Sequence, residues 1–508
     1  MAFWASLFIV LVTIVLVGLH RLGAFRQRRA REPPLDKGTI PWLGHAVNFC
    51  KEPSNFLKTM QKRHGDVFTI QLAGQYITYV TDPFSMDAIL KESKSKLDFS
   101  DFAAKMVFKI FDYQATNFHR KMMDNNSSKY LMGPGLVGMT QAMMDSLNIV
   151  MREVDAEMRP RSQEWKQEGL FQYCYNIVFR AGYLALFGNI PTNGKVDYAQ
   201  DIQQSKKIFE QFRKFDILFP KLFYFILLPK EKQEMKRLKH FFWDILSIRH
   251  ILEQDNVSGW IRSIQQHLAE NGVSEIGQSK YNLVLLWASQ GNTGVVAFWT
   301  LFFLLKDPKA LKVVREEIES VLKKMGQEVK PGGFLINIDY RMLQQTPVLD
   351  SVMEETLRLV VAPVLSRVVM QDLILKMDDG REYALRKGDT VSMYPYLSLH
   401  MDPEIYPDPT TFKYDRFLNA NGSRKVAFYK EGRRIKSHML PWGAGPSKCP
   451  GRFFALNEMK MFVFLMLLHY DIELVDQEVK IPPINVKRFG IGAMQPIYDV
   501  QFRYRKYF

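Results

Sequence analysis

Residues 441–456 read Pro-Trp-Gly-Ala-Gly-Pro-Ser-Lys-Cys-Pro-Gly-Arg-Phe-Phe-Ala-Leu, and no other stretch limits its surroundings so tightly. Glycines and prolines bracket one cysteine, Cys449, and an apolar helical run through Leu456, Met459, Phe462 and Met466 starts directly behind it. A cysteine in a glycine-rich loop at a helix N-terminus has backbone N–H groups and the helix dipole to stabilise a thiolate. A thiolate so placed is a nucleophile or a metal ligand. An isolated cysteine would instead read as a small buried hydrophobe.

The other two cysteines, Cys50 and Cys174, are too scattered for a disulfide framework or a structural zinc site, which points to a reducing compartment. The 508 residues carry a formal charge of +15 with 47% hydrophobic and 24% charged residues, a globular balance that excludes disorder, collagen and a multi-span membrane protein. The basic residues are dispersed and no nucleic-acid motif accompanies them, so no nucleic acid is expected as a partner. No charged residue occurs in 1–19, and Arg21, Arg26, Arg28, Arg29 and Arg31 come at once after it. About 20 apolar residues span a bilayer, and the arginines place the rest of the chain on the cytosolic side. Residues 1–20 are therefore expected as a single transmembrane anchor, 21–45 as a basic, proline-rich hinge, and 46–508 as one continuous domain.

Coarsely the domain is mostly α with small β-sheets, an α+β chain. A hairpin is expected at residues 67–80 and a strand region at 373–391, with helices at 283–306, 309–325 and 347–360. Residues 209–228 leave two readings open: core helices around a turn at Pro220, or an interfacial membrane contact.

Trp442-x-x-Gly445-x-x-x-Cys449-x-Gly451 resembles the haem-binding loop of the cytochrome P-450 superfamily, in which the cysteine thiolate is the axial ligand of haem iron. Glu355-x-x-Arg358 resembles the family's Glu-x-x-Arg helix, and Tyr414-Asp415-Arg416-Phe417 its Pro-Glu-Arg-Phe segment. The resemblance implies the cytochrome P-450 fold, haem b held by Cys449, Trp442, Gly445 and Gly451, and a buried triad of Glu355, Arg358 and Arg416. Where the family usually has Arg or His two residues before the cysteine, this chain has Ser447. Arg367, then Arg120, are the candidates for the haem propionates.

The usual acid and threonine of the distal helix are replaced by Gly291 and Asn292, with Thr293 one residue on. That substitution resembles a subgroup of sterol hydroxylases and a lipid-peroxide isomerase. Longer matches, among them residues 32–39, 213–216, 287–294, 346–352 and 412–419, resemble its branch acting at the sterol 12α position. The resemblance implies a monooxygenase of bile acid synthesis on the endoplasmic reticulum membrane. It would use O2 and electrons from NADPH–cytochrome P-450 reductase on a 7α-hydroxylated sterol substrate. Asn292 and Thr293 would serve catalysis, with Trp287, Ala288 and Asn292 lining the substrate pocket. Lys448, Arg452, Arg433 and Arg434 would face the reductase. A lipid-peroxide isomerase and a membrane haem carrier are the alternatives.

Overall fold

The computed structural model describes residues 2–21, 23–156, 164–191, 198–224, 226–328, 336–361 and 364–506. At its centre runs Thr293–Lys306, a helix apolar on every side and therefore able to survive in water only if enclosed. Three helices enclose it: Leu170–Phe187, Pro347–Val360 and Arg452–His469. The strand Leu365–Val369 and the hairpin Val67–Leu72 and Gln75–Val80 belong to a six-stranded sheet. The hairpin pairs Leu72 with Gln75 across Ala73-Gly74, both in the left-handed region, the geometry a two-residue hairpin loop demands. Gly74 is needed twice over, because a Cβ there would also meet the Trp42 indole.

The expected strand region resolves into Leu373–Lys376, Glu382–Leu385 and Thr390–Met393. The helix expected over 309–325 is Pro308–Lys324, with Pro308 at its first position and the Asp307 carboxylate accepting from the Ala310 N–H. The expected continuous helix over 283–306 is interrupted. Glu275–Gln290 ends at Gly291, Asn292 takes non-helical angles (φ −121°, ψ −39°), and a second helix begins at Thr293. Apolar residues resume directly after Ser289-Gln290-Gly291-Asn292-Thr293-Gly294, so the two flanking runs read as one helix.

Residues 209–228 are largely core. Tyr198–Phe223 is one helix that passes through Pro220 and buries Phe209, Phe212, Phe215 and Phe219. Ile217, Ile226 and Leu228 remain exposed.

The segment expected as a hinge is attached to the sheet. Leu35–Asp36 pairs in parallel with Val67–Leu72, and Asp36 receives His45 at 2.7 Å and His64 at 3.1 Å. Upstream, Arg26 pairs with Asp389 at 2.6 Å, Glu32 pairs with Arg386, and Tyr76 donates to the Gly23 carbonyl at 2.6 Å. Pro33-Pro34 stiffens the backbone between these contacts.

Ala2–Arg21 is a 20-residue helix whose apolar side chains, Phe8, Ile9, Leu11, Ile14 and Leu16 among them, are exposed. The side chains of Met1, Ala2 and Ala5 lie outside the described residues, and among those described no helix is long and apolar enough to cross a membrane. The expected single span is thus not shown.

Candidate active site

The cysteine loop is folded by its own backbone. The Cys449 N–H donates to the Trp442 carbonyl at 2.8 Å and the Lys448 N–H to Gly445 at 3.2 Å. Gly445 takes φ +59°, and a Cβ there would lie 2.6 Å from the Leu90 carbonyl oxygen, so only glycine lets the loop lie this close to Met86–Lys91. Gly451 precedes the first turn of Arg452–His469. Arg452 reaches back to the Cys449 carbonyl at 2.9 Å.

Cys449 itself is half-buried, whereas Cys174 is buried inside its helix. Burial pushes the Cys449 thiol up, and the N–H groups of Gly451 and Arg452 with the Arg452 charge act on it in the opposite direction. Those donors favour the anionic sulfur. A single soft donor suits an iron whose remaining ligands arrive with a porphyrin.

Behind the loop, the triad expected from the motifs is assembled. Glu355 and Arg358, fully buried on Pro347–Val360, pair at 2.7 and 2.8 Å through both carboxylate oxygens. Arg416 joins the same carboxylate at 2.8 Å. The remaining guanidinium N–H groups are spent on carbonyls: Arg358 on His400 and Pro409, Arg416 on Pro407, Asp408 and Thr411. A buried ion cluster is tolerable only when its spare donors are satisfied in this way.

The triad reaches the cysteine loop through a residue that the motifs did not reveal. His400 gives its carbonyl to Arg358 at 2.6 Å and accepts the Leu440 N–H on Nε2 at 3.2 Å, just ahead of Pro441-Trp442. Burial and the neighbouring Arg358 push its imidazole down to about 3, so it is neutral and its acceptor nitrogen is always available. The only hint in sequence would have been a histidine shortly before Asp402-Pro403, which has no pattern of its own.

On the distal side, Ala288 is exposed although Leu285, Leu286 and Gly291 around it are buried. The helix therefore presents an open face there, which fits a planar prosthetic group and a substrate. Trp287 stacks on Phe219 at 4.2 Å and 5°, with Phe111 tilted against it at 5.9 Å. Its indole N–H is buried without an acceptor among the described residues. Asn292 Oδ1 accepts the Ala493 N–H at 3.0 Å, and Gly492 (φ +128°) lies so close that a Cβ would collide with that oxygen. The amide is held through its oxygen, which leaves its donor nitrogen for another partner. Thr293 lies elsewhere: its hydroxyl is beside Glu458 of the cysteine helix.

Arg367 is buried on Leu365–Val369, donates to the Ser366 carbonyl at 2.9 Å and lies over Phe99. Arg120 stands in the helix Asn117–Tyr130, and its side chain lies outside the described residues. Lys448, Arg433 and Arg434 are exposed and Arg452 is half-exposed, with Arg433 paired to Asp378.

Known proteins arrange themselves consistently with this geometry. The chain is 51% identical over 506 residues, 99% of both chains, to 7-alpha-hydroxycholest-4-en-3-one 12-alpha-hydroxylase of Oryctolagus cuniculus. It is 50% identical over 505 residues, again 99% of both, to 5-beta-cholestane-3-alpha,7-alpha-diol 12-alpha-hydroxylase of Sus scrofa. Prostacyclin synthase of Bos taurus is 42% identical over 479 residues, 94% of this chain and 95% of that one. Residues 33–502 match the family model "Cytochrome P450", and with the cysteine loop, the triad and the open distal face in place, the chain belongs to the cytochrome P450 family of haem-thiolate proteins.

Proposed function

We propose that this protein is a sterol 12α-hydroxylase, inserting one oxygen atom at the 12α position of a 7α-hydroxylated sterol of bile acid synthesis. The observation that carries the reading is identity of about half of all positions, over 99% of both chains, with two enzymes named for 12α-hydroxylation. The substrates in their names differ at ring A, one a 4-en-3-one and the other a saturated 3α-alcohol, and share the 7α oxygen. When bound, the haem supplies the redox and oxygen-activating chemistry, with Cys449 as its thiolate ligand.

The chain's own part is positioning. Glu355, Arg358, Arg416 and His400 hold the loop that presents Cys449; Arg367 and Arg120 are the candidates for the propionates. Trp287, backed by Phe219 stacked on it, offers an apolar face to a sterol, and its indole N–H offers a donor to a sterol oxygen. Asn292 has its amide N–H groups left to donate, so it holds a water or a substrate oxygen by donation, and a water held there supplies the protons of the reaction. Thr293, facing Glu458, acts from behind the break.

Ala2–Arg21 with the arginines after it is the proposed endoplasmic reticulum anchor, with the domain on the cytosolic side. Lys448, Arg452, Arg433 and Arg434 form the proposed contact for the acidic NADPH–cytochrome P-450 reductase.

The likeness to prostacyclin synthase and the missing acid–threonine pair favour one second reading, an isomerase of a lipid peroxide. Purified protein with reductase and a panel of sterols separates them. NADPH-dependent appearance of a 12α-hydroxyl is expected; rearrangement of a lipid peroxide without NADPH, and no sterol product, would overturn the proposal.

A further inference from the structure

One buried polar group takes no part in the chemistry described for the loop and the distal face. Glu458, 1% exposed, lies in the second turn of Arg452–His469, the helix that leaves the cysteine loop. It faces both sides of the break in the distal helix: Gln290, the last residue before it, and Thr293, the first after it. Gly182 of Leu170–Phe187 closes the group from a third side, since a Cβ there would run into both the Gln290 amide and the Glu458 carboxyl.

The cluster is polar but not ionic. Among the described residues no cation pairs with Glu458, and burial holds its carboxyl well above the usual carboxylate range, with the Thr293 hydroxyl acting against that rise. Among the described residues, Gln290 Oε1 and Nε2, Thr293 Oγ1 and Glu458 Oε1 are all buried with no protein partner in good hydrogen-bond geometry. Four polar atoms converging from three helices form a polar chamber. Buried water is found in such places because it donates to and accepts from neighbouring groups whose own geometry leaves them unsatisfied.

We propose that Gln290, Thr293 and Glu458 bind an internal water, and that through it Glu458 holds the break at Gly291–Asn292 and so positions Asn292. Glu458 is then a positioning residue that ties the cysteine-bearing helix to the distal helix. The inference rests on the role proposed for Asn292, but the water site can be tested without it.

The test uses the full-length, haem-loaded protein and the variants Glu458→Gln, Glu458→Leu and Thr293→Val. Infrared spectra of the wild type should show a protonated carboxylic acid band that persists through the neutral and mildly alkaline range. The band should be absent in Glu458→Gln and shifted in Thr293→Val, which removes one anchor of the water. A neutral amide keeps the donor and acceptor, so Glu458→Gln should retain wild-type product per NADPH, while Glu458→Leu should lose about 10-fold, as supporting residues around a metal site do. Should the leucine variant fail to fold, Thr293→Val carries the same comparison. No acid band, or one unmoved in Thr293→Val, overturns the water site. Uncoupling of Glu458→Gln as severe as that of Glu458→Leu overturns positioning, because it would mean that the acid gives up its proton. A fully coupled Asn292→Leu sinks the role of Asn292 and leaves the infrared result to decide the water site alone.

Discussion

Cys449 is the residue on which the chemistry turns, and its replacement is the sharpest test. Cys449→Ser removes the only soft donor of the loop. Loss of the thiolate signature from the ferrous carbon monoxide spectrum is expected, and an unchanged spectrum would exclude Cys449 as the ligand. Asn292 makes a second test at this scale. Asn292→Leu strands the Ala493 N–H, at about 1–3 kcal/mol for a buried unpaired donor, and removes the amide donor that Asn292 itself supplies at the break. Falling product per NADPH, with peroxide released, is expected. A variant that stays coupled and changes only sterol affinity would show that the amide merely packs.

Among elements, the junction between Pro347–Val360, the His400 segment and the cysteine loop bears the stability of the site. Glu355→Gln leaves two buried guanidinium groups sharing a neutral amide, and breaking a buried pair from one side costs about 3–5 kcal/mol. The variant should fail to retain haem, measured as haem per polypeptide after purification. His400 gives this junction a pH dependence of known sign. Its folded value, about 3, lies below that of a free imidazole, so between those two values the unfolded chain binds the extra proton. Stability should therefore fall as pH drops below about 6.5, by up to about 1.4 kcal/mol per unit. His400→Gln should flatten that slope in denaturant titrations, and an unchanged slope would assign the acid sensitivity elsewhere. Glu355, Arg358, Arg416 and Cys449 were legible because each belongs to a spaced motif. His400 and Glu458 were not, because what they do depends on a backbone carbonyl or an orphaned amide delivered from a distant segment. The break at Asn292 was hidden for a related reason: the group that Asn292 meets there is the Ala493 N–H, some 200 residues away.

For the whole molecule, the helical architecture around an apolar central helix and the sheet hairpin could be read from periodicity and turn chemistry. The attachment of residues 23–45 could not, since arginines and prolines give the same text for a free hinge and for a docked one. The proposed membrane attachment is tested on the whole chain. Deleting residues 2–21 should leave only weak binding to vesicles, because Phe209, Phe212, Phe215 and Phe219 are committed to the core. What remains are Ile217, Ile226 and Leu228, worth at most roughly 1.5–3 kcal/mol each if fully inserted. Changing all three to serine in the truncated protein should abolish sedimentation with vesicles; unchanged sedimentation would place the contact elsewhere. The pairs Arg26 with Asp389 and Glu32 with Arg386 also change what kind of tether the amino terminus is. A free linker lets a domain tumble, with a reach that grows as the square root of its length. A helix bolted to the sheet at its root has almost no linker at all, so a domain anchored this way would keep one fixed heading toward the bilayer, and meeting a partner in the same membrane becomes a matter of rotation about a single axis.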